Sequence, residues 1–409
     1  MEMQQHAERI GSYLDRCQAE IMDMIGRLVN MDSFSMDGGD VDSVGRLVAD
    51  WLRQVGFDVE VRDTPAIAED EAWMRGLGHL VVARTHPREA GPGIVFLAHM
   101  DTVFPQGTAA RRPFRMEGDR AFGPGVADMK AGVAAVMFAA RALNDLGLMP
   151  VPMTLMFSPD EELGSPLTTR QYRELLPGAR AVLCAEPGFP VGGVTTERNG
   201  SGHMHMRVKG VAAHAGRCYE DGASAIVELA NKVVAMDRLV DLERDVKVNT
   251  GLIQGGTSAN AVAPCAEARL HLSFRTVEDA EQLVRDIRAI AAQTFVPRTQ
   301  TTLTGGIRLY PLRPRADTMM LFDMASRAGD AIGYALRTNM ARGASEAGFT
   351  SSALGIPSIC SMGPEGAGLH SPDEYLVPST VLPRCKILAL TAIQAAEAFA
   401  PTDGRQLGA

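Results

Sequence analysis

The chain has 409 residues, of which 46% are hydrophobic and 22% charged. That is an ordinary composition for a soluble protein and too long a chain for one core, so two or three domains are expected. The formal net charge of −9 argues against nonspecific binding to nucleic acid or an anionic membrane, which need a basic footprint, and leaves room for a local basic pocket that takes a small acid. The six cysteines (Cys17, Cys184, Cys218, Cys265, Cys360 and Cys385) form no CxxC pair and are too sparse for a disulfide scaffold. No apolar run reaches about 18 residues, and the polar start MEMQQHAERIGSYLDRC lacks the layout of a signal peptide. A reduced, cytoplasmic protein without a membrane span is expected.

Along the chain, Val44, Leu47, Val48, Trp51, Leu52 and Val55 share one helical face, with Asp42 or Ser43 available as a cap and Gly56 as a stop. FDVEVRD at 57–63 alternates as a strand does. GIVFLAH at 93–99 is continuously apolar, as a strand buried on both faces should be, and its polar residues begin at the carboxyl end. KAGVAAVMFAARALNDL at 130–146 has a helical pattern. VPMTLMFSP at 151–159 is a second buried strand, ending in Asp160, Glu161 and Glu162, and AVLCAEP at 181–187 is a third, ending in Glu186. Strands alternating with helices predict a doubly wound α/β sheet, whose ligands gather at the carboxyl ends of its strands.

The pattern then changes. GHMHMRVKG at 202–210 alternates, 223–236 is helical, 248–256 and 266–275 are strand-like, and 278–294 is helical. This β-α-β-β-α order predicts a small α+β domain with one helical face and one open sheet face that could pair with a second copy. From about residue 303 the α/β pattern returns, with a strand entry in SSALGIPSICSMGP at 351–364. The expected organisation is a larger domain in two parts, 1–194 and 303–409, with an inserted domain at 195–302.

Several strand ends thus carry metal-ligand chemistry. His99, Asp128, Glu162, Glu186 and His370 can divide as two ligands for each of two ions plus one shared group, and a carboxylate bridges well because its two oxygens can bind two cations. Asp101, two residues beyond His99, could hold the imidazole N–H. Glu161 beside Glu162 lets one carboxylate bind metal while its neighbour takes a proton from water. Taken singly, a histidine at a strand end or an acidic run is more often structural. Four separate strand ends that carry such residues together point to a site.

At these residues the chain resembles the M20 family of metallopeptidases, especially its glutamate carboxypeptidase branch, the carboxypeptidase G2 type. The matching text is LAHMDTVFP at 97–105, FGPGVADMKAG at 122–132, SPDEELGS at 158–165, AEP at 185–187, GVAAHAG at 210–216, SANAVAP at 258–264 and GLHSPDEY at 368–375. The resemblance implies a zinc-peptidase-like catalytic domain with a ferredoxin-like inserted domain that serves as dimerisation surface or lid. It implies two divalent metal ions per subunit, zinc before manganese or cobalt. His99 and Glu186 would be terminal ligands of one ion, Glu162 and His370 of the other, and Asp128 the bridge, followed by a cis peptide. Glu161 would be the general base and Asp101 the histidine-orienting acid. His214 would reach the partner's site in a homodimer, to stabilise the oxyanion. Asn260 and Arg275 would bind a small carboxylate substrate, Arg275 by bidentate pairing.

Two stretches depart from the family pattern. RCYEDG follows HAG at 217–222, and GASEAG at 343–348 carries Ala344 for a Gly and Glu346 for an Asp. Both are expected near the substrate pocket. The function implied is hydrolysis of an amide C–N bond in a peptidyl or N-acyl amino acid. An aminohydrolase releasing ammonia from an aromatic amine such as a nitroanthranilate is the alternative. An inactive binding module would have lost Glu161 or a ligand, and all are present. No GxxxxGK[ST] phosphate loop occurs.

Overall fold

The structure is a computed structural model, and it describes residues 2–67 and 69–401. The chain divides into two compact units, 1–198 with 312–409, and 199–311.

The first unit is built on a six-stranded sheet in the order Asp58–Arg62, Leu80–Arg84, Met153–Ser158, Ile94–His99, Ala181–Cys184, Ser358–Ile359. The last four run parallel, and the first two are antiparallel additions at one edge. Every residue of 80–84, 94–99, 153–158 and 181–184 is buried, which is why those segments read as unbroken apolar runs. The helix Ala131–Asp145 is also buried, at all but a few positions, and packs against Val381–Ala398. The expected helix at 43–55 runs Gly38–Gln54. Its cap is Asp37, which accepts the Gly39 and Asp40 amides, and not Asp42 or Ser43. Asp42 lies inside the helix and its carboxylate accepts the His79 backbone N–H at 2.8 Å. In the 351–364 stretch, only Ser358–Ile359 extends the sheet. No described helix is long and apolar enough to cross a membrane.

The second unit is a four-stranded antiparallel sheet ordered Lys247–Gly255, Cys265–Phe274, Gly200–Lys209, Gln300–Leu309. With helices Ala225–Asp237 and Val277–Ala292 it makes a β-α-β-β-α-β unit, a ferredoxin-like order. Alternate strand residues (Met204, Met206 and Val208; Ala268, Leu270 and Leu272) form the core with Leu229 and Ile287, leaving the other sheet face open. The closing strand pairs with Gly200–Lys209 along its whole length, so the unit ends at Pro311 and not at 302. Its Thr-rich sequence with Gly305 and Gly306 reads as a turn, which hides the strand.

Candidate metal centre

Strand Ile94–His99 lies between its two successors. The chain crosses to Met153–Ser158 on one side, then to Ala181–Cys184 on the other. This reversal opens a crevice at the carboxyl end of the middle strand. The register brings the ends together: His99 stands opposite Ser158, and Leu97 opposite Cys184. Glu161, Glu162 and Glu186 follow within two to four residues of those neighbours. Asp128 comes from the turn before helix Ala131–Asp145, and His370 from a loop beside the short strand Tyr375–Leu376, which pairs with Arg120–Phe122.

His99 Nε2 lies 3.2 Å from Asp128 Oδ1 and 3.8 Å from Glu186 Oε1. His370 Nε2 lies 3.3 Å from Asp128 Oδ2 and 3.0 Å from Glu162 Oε2. The five residues therefore form two ligand groups that share Asp128, one oxygen of which faces each histidine. The Asp128–Met129 peptide is cis. His99, Asp128 and Glu186 are buried, whereas the His370 side chain is 53% exposed.

The donor set is rich in anions. Burial pushes the Glu186 carboxyl up to about 8. Burial, with Glu186 nearby, pushes Glu161 well above its ordinary range. Burial opposes ionisation of Asp128 too, but hydrogen bonds from His370 and His99 hold it below the usual carboxylate range. Hydrogen bonds to Asp128 and Glu162 raise His370 to about 10. Among these carboxylates the buried Arg198 guanidinium lies 3.5 Å from Glu186. Oxygen and imidazole donors converging in this way suit divalent cations.

Asp101 makes two sets of contacts. Its carboxylate accepts the backbone N–H of Glu161 and of Glu162, each at 3.1 Å. The His99 Nδ1 lies 3.0 Å from the Asp101 carbonyl and 3.4 Å from its Oδ1. Asp101 therefore fixes both the imidazole and the turn that carries Glu161, and it leaves His99 Nε2 toward the ligand group.

Two contributors escape a reading by strand ends. Buried Glu374 accepts the amides of Gly125, Ala127 and Asp128 at 2.9–3.0 Å and so sets the turn bearing Asp128. Its signal was an acid four residues after His370, hidden in a polar SPDEY run. Arg198 donates to the Gly343 carbonyl and to Cys360 Sγ beside Glu186. Its signal was a lone arginine ending the buried strand Gly193–Arg198. The departing segment at 343–348 is not a pocket wall at Glu346, whose side chain is buried against Ser165 and Tyr172.

The remaining candidates lie in the second unit. His214 and Asn260 sit on adjoining exposed loops: His214 bridges to Ala261, and the Ala215 amide donates to the Asn260 carbonyl at 3.0 Å. Both loops leave the Lys209–Cys265 end of the sheet. Exposed Arg275 follows Phe274, at the opposite end of a ten-residue strand. At about 3.4 Å per residue the two ends are about 30 Å apart.

The sequence profile of Peptidase family M20/M25/M40 matches residues 95–394. The chain is 25% identical over 382 residues to carboxypeptidase G2 of Pseudomonas sp. (strain RS-16), across 92% of this chain and 89% of that one. It is 26% identical over 377 residues to acetylornithine deacetylase of Klebsiella pneumoniae (strain 342), across 85% and 89%. Among solved structures, a dinuclear metal-binding peptidase of the M20 family from Bacillus subtilis matches with a TM-score of 0.63 at 18% identity, over 94% of this chain and 99% of that one. That last likeness concerns the fold.

Proposed function

The chain belongs to peptidase family M20/M25/M40 and is a metal-dependent hydrolase of peptide or amide substrates, and from that premise we propose that it holds two divalent ions and cleaves the amide C–N bond of a small, carboxylate-bearing substrate. The observation that carries this reading is the shared carboxylate, Asp128, with one oxygen turned to each histidine. His99 and Glu186 would complete one ion's site, and Glu162 and His370 the other's. Zinc fits this mixture of imidazole and carboxylate, and manganese or cobalt fits it as well. When bound, such ions polarise the scissile carbonyl and acidify water at neutral pH.

Glu161 is the group that takes the proton of the attacking water and returns it to the leaving nitrogen. Its turn is pinned by Asp101, which accepts the Glu161 and Glu162 amides, so the carboxylate meets the water in a fixed place. Arg275 would grip the substrate carboxylate, and Asn260 would bind the substrate near His214. His214 would donate to the oxyanion, a contribution of about 10²–10³ in rate.

Asn260 and Arg275 lie at opposite ends of one sheet, so a single insert does not bring both to one small molecule. Two inserts can, and this favours a homodimer in which His214 and Asn260 serve the partner's site. The surface that suits a second copy is the edge strand Lys247–Gly255, with exposed Leu252 and Ile253, beside the helix that exposes Ile226, Val227 and Val234. All six cysteines are free thiols, which suits the reducing cytoplasm proposed for the protein.

The test is elemental analysis joined to product analysis on N-benzoyl-L-glutamate. Two ions per chain and released glutamate are expected. Ammonia released from a nitroanthranilate, with no glutamate, would move the reading to an aminohydrolase. Two bound ions with neither product would overturn both the glutamate-releasing and the ammonia-releasing readings.

A further inference from the structure

Glu346 replaces an acid one methylene shorter in the family pattern, and its place in the fold gives it work. Its Oε1 accepts the Ser165 hydroxyl at 2.8 Å and its Oε2 accepts the Tyr172 hydroxyl at 2.9 Å, all three side chains being buried. Ser165 closes the tight turn that begins at Asp160: its amide donates to the Asp160 carbonyl at 2.9 Å, and the Gly164 amide to the Glu161 carbonyl at 2.7 Å. Ser165 also adopts a left-handed backbone, φ +49°, which a residue with a side chain keeps only where its surroundings enforce it. Two other acids grip the same turn. Asp101 holds the Glu161 and Glu162 amides, and Asp160 accepts the Leu167 amide and the Thr168 hydroxyl where the next helix starts. Neither of them reaches the Ser165 side chain.

The segment bearing Glu346 is itself tied to the far side of the centre. Ser345 Oγ lies 3.2 Å from Cys360 Sγ, and Arg198, beside Glu186, donates through Nε to the Gly343 carbonyl at 2.9 Å. Residues 343–346 thus link Arg198, beside Glu186, to Ser165, at the end of the turn that carries Glu161.

We propose that Glu346 is a positioning residue: through Ser165 and Tyr172 it fixes the Asp160–Ser165 turn and thereby the placement of the Glu161 carboxylate, without touching any of the five candidate ligands. A carboxylate suits the place because it accepts from two hydroxyls at once, whereas an amide of the same shape has one acceptor oxygen. A misplacement of about 1 Å at a reacting group costs about 100-fold in rate, so a brace of this kind acts on kcat.

The inference rests on Glu161 being the proton-transfer group of the proposed function, and three variants separate the two ideas. With the metal-loaded enzyme and N-benzoyl-L-glutamate, Glu346→Gln should lower kcat about 10- to 100-fold, with KM and metal content unchanged within about twofold. Ser165→Ala should act in the same direction, and the double variant should be no worse than the more severe single one. A second readout needs no turnover. In the metal-free protein, Glu346→Gln should speed amide hydrogen exchange in a peptide covering 160–165 and leave the strand 94–99 unchanged. If Glu346→Gln does not fold, Ser165→Ala, which removes one bond, carries both measurements. An unchanged kcat, or exchange that rises everywhere while kcat and KM move together, would overturn the proposal. Full activity in Glu161→Gln would overturn the proposed role of Glu161 itself.

Discussion

The two halves of the candidate centre are built differently. His99 is the last residue of one buried parallel strand, and Glu186 lies two residues beyond the end of another. His370 stands on a loop, half exposed and with a positive φ of +59°, and reaches Asp128 and Glu162 from outside. The first half is a product of the core: the same packing that forms the sheet places these two candidate ligands. The second is completed from a local hairpin, whose connecting loop carries His370.

The strongest way to break the comparison is at the residue both halves share. Asp128→Ala should remove the bridge, bring ion content below one per chain and abolish turnover. Retention of one tightly held ion would mean that His99 and Glu186 suffice without it, and that the halves are more independent than the distances suggest. The next test sets the histidines against each other. His99→Ala leaves buried carboxylates without their partner, which should cost the metal-free fold on the order of 3 kcal/mol in denaturant unfolding. His370→Ala removes a half-exposed ring and should cost the metal-free fold less than His99→Ala does, while still losing its own ion. Equal costs would show that the two histidines support the metal-free fold alike.

This division also explains what the sequence made legible. His99, Glu161, Glu162 and Glu186 were readable because each ends a continuous apolar run, and a parallel strand buried on both faces has few ways to look like anything else. Parallel pairing then makes their convergence a matter of register. Glu374 and Arg198 were not readable in this way, because each acts through hydrogen bonds to backbone or neighbouring side chains that only tertiary contact creates. Asp37 won the helix cap over Asp42 for a similar reason, since Asp42 was drawn to His79. The closing strand Gln300–Leu309 was obscured by Gly305 and Gly306, whose turn character the sheet overrode. Glu346 was visible as a departure, but a departure from a pattern does not say which way a side chain points.

A pH titration of the metal-free protein bears on both halves together. Glu186 titrates near 8 in the fold and near 4.5 unfolded, so between those values the native state holds a proton that the unfolded chain has released. Stability then falls as pH rises through that window. For His370, raised from 6.5 to about 10, the stabilisation is complete below 6.5 and is lost as pH rises through 10, discounted because the ring is half exposed. Both halves therefore slope the same way, and unfolding midpoints should fall from about pH 5 upward, most steeply on the Glu186 side. Saturating zinc should flatten the profile, since ligand binding favours the deprotonated donors. A midpoint that rises between pH 5 and 8 without metal would contradict the burial-driven shift of Glu186.

The smallest effect expected comes from Glu374, which touches neither ion site yet holds three amides of the turn bearing the bridge. Because Asp128 serves both halves, loosening its turn should weaken both ions alike. Glu374→Gln replaces one acceptor oxygen by a donor, so at least one of the three amides loses its partner. A loss of about 10-fold in affinity at each ion is the scale for an outer-layer support. Isothermal titration with zinc resolves whether the loss is shared. Loss at one ion alone, with the other held at its original affinity, would show that Asp128 is positioned mainly by the histidine it faces, and that Glu374 supports one half of the centre and not its junction.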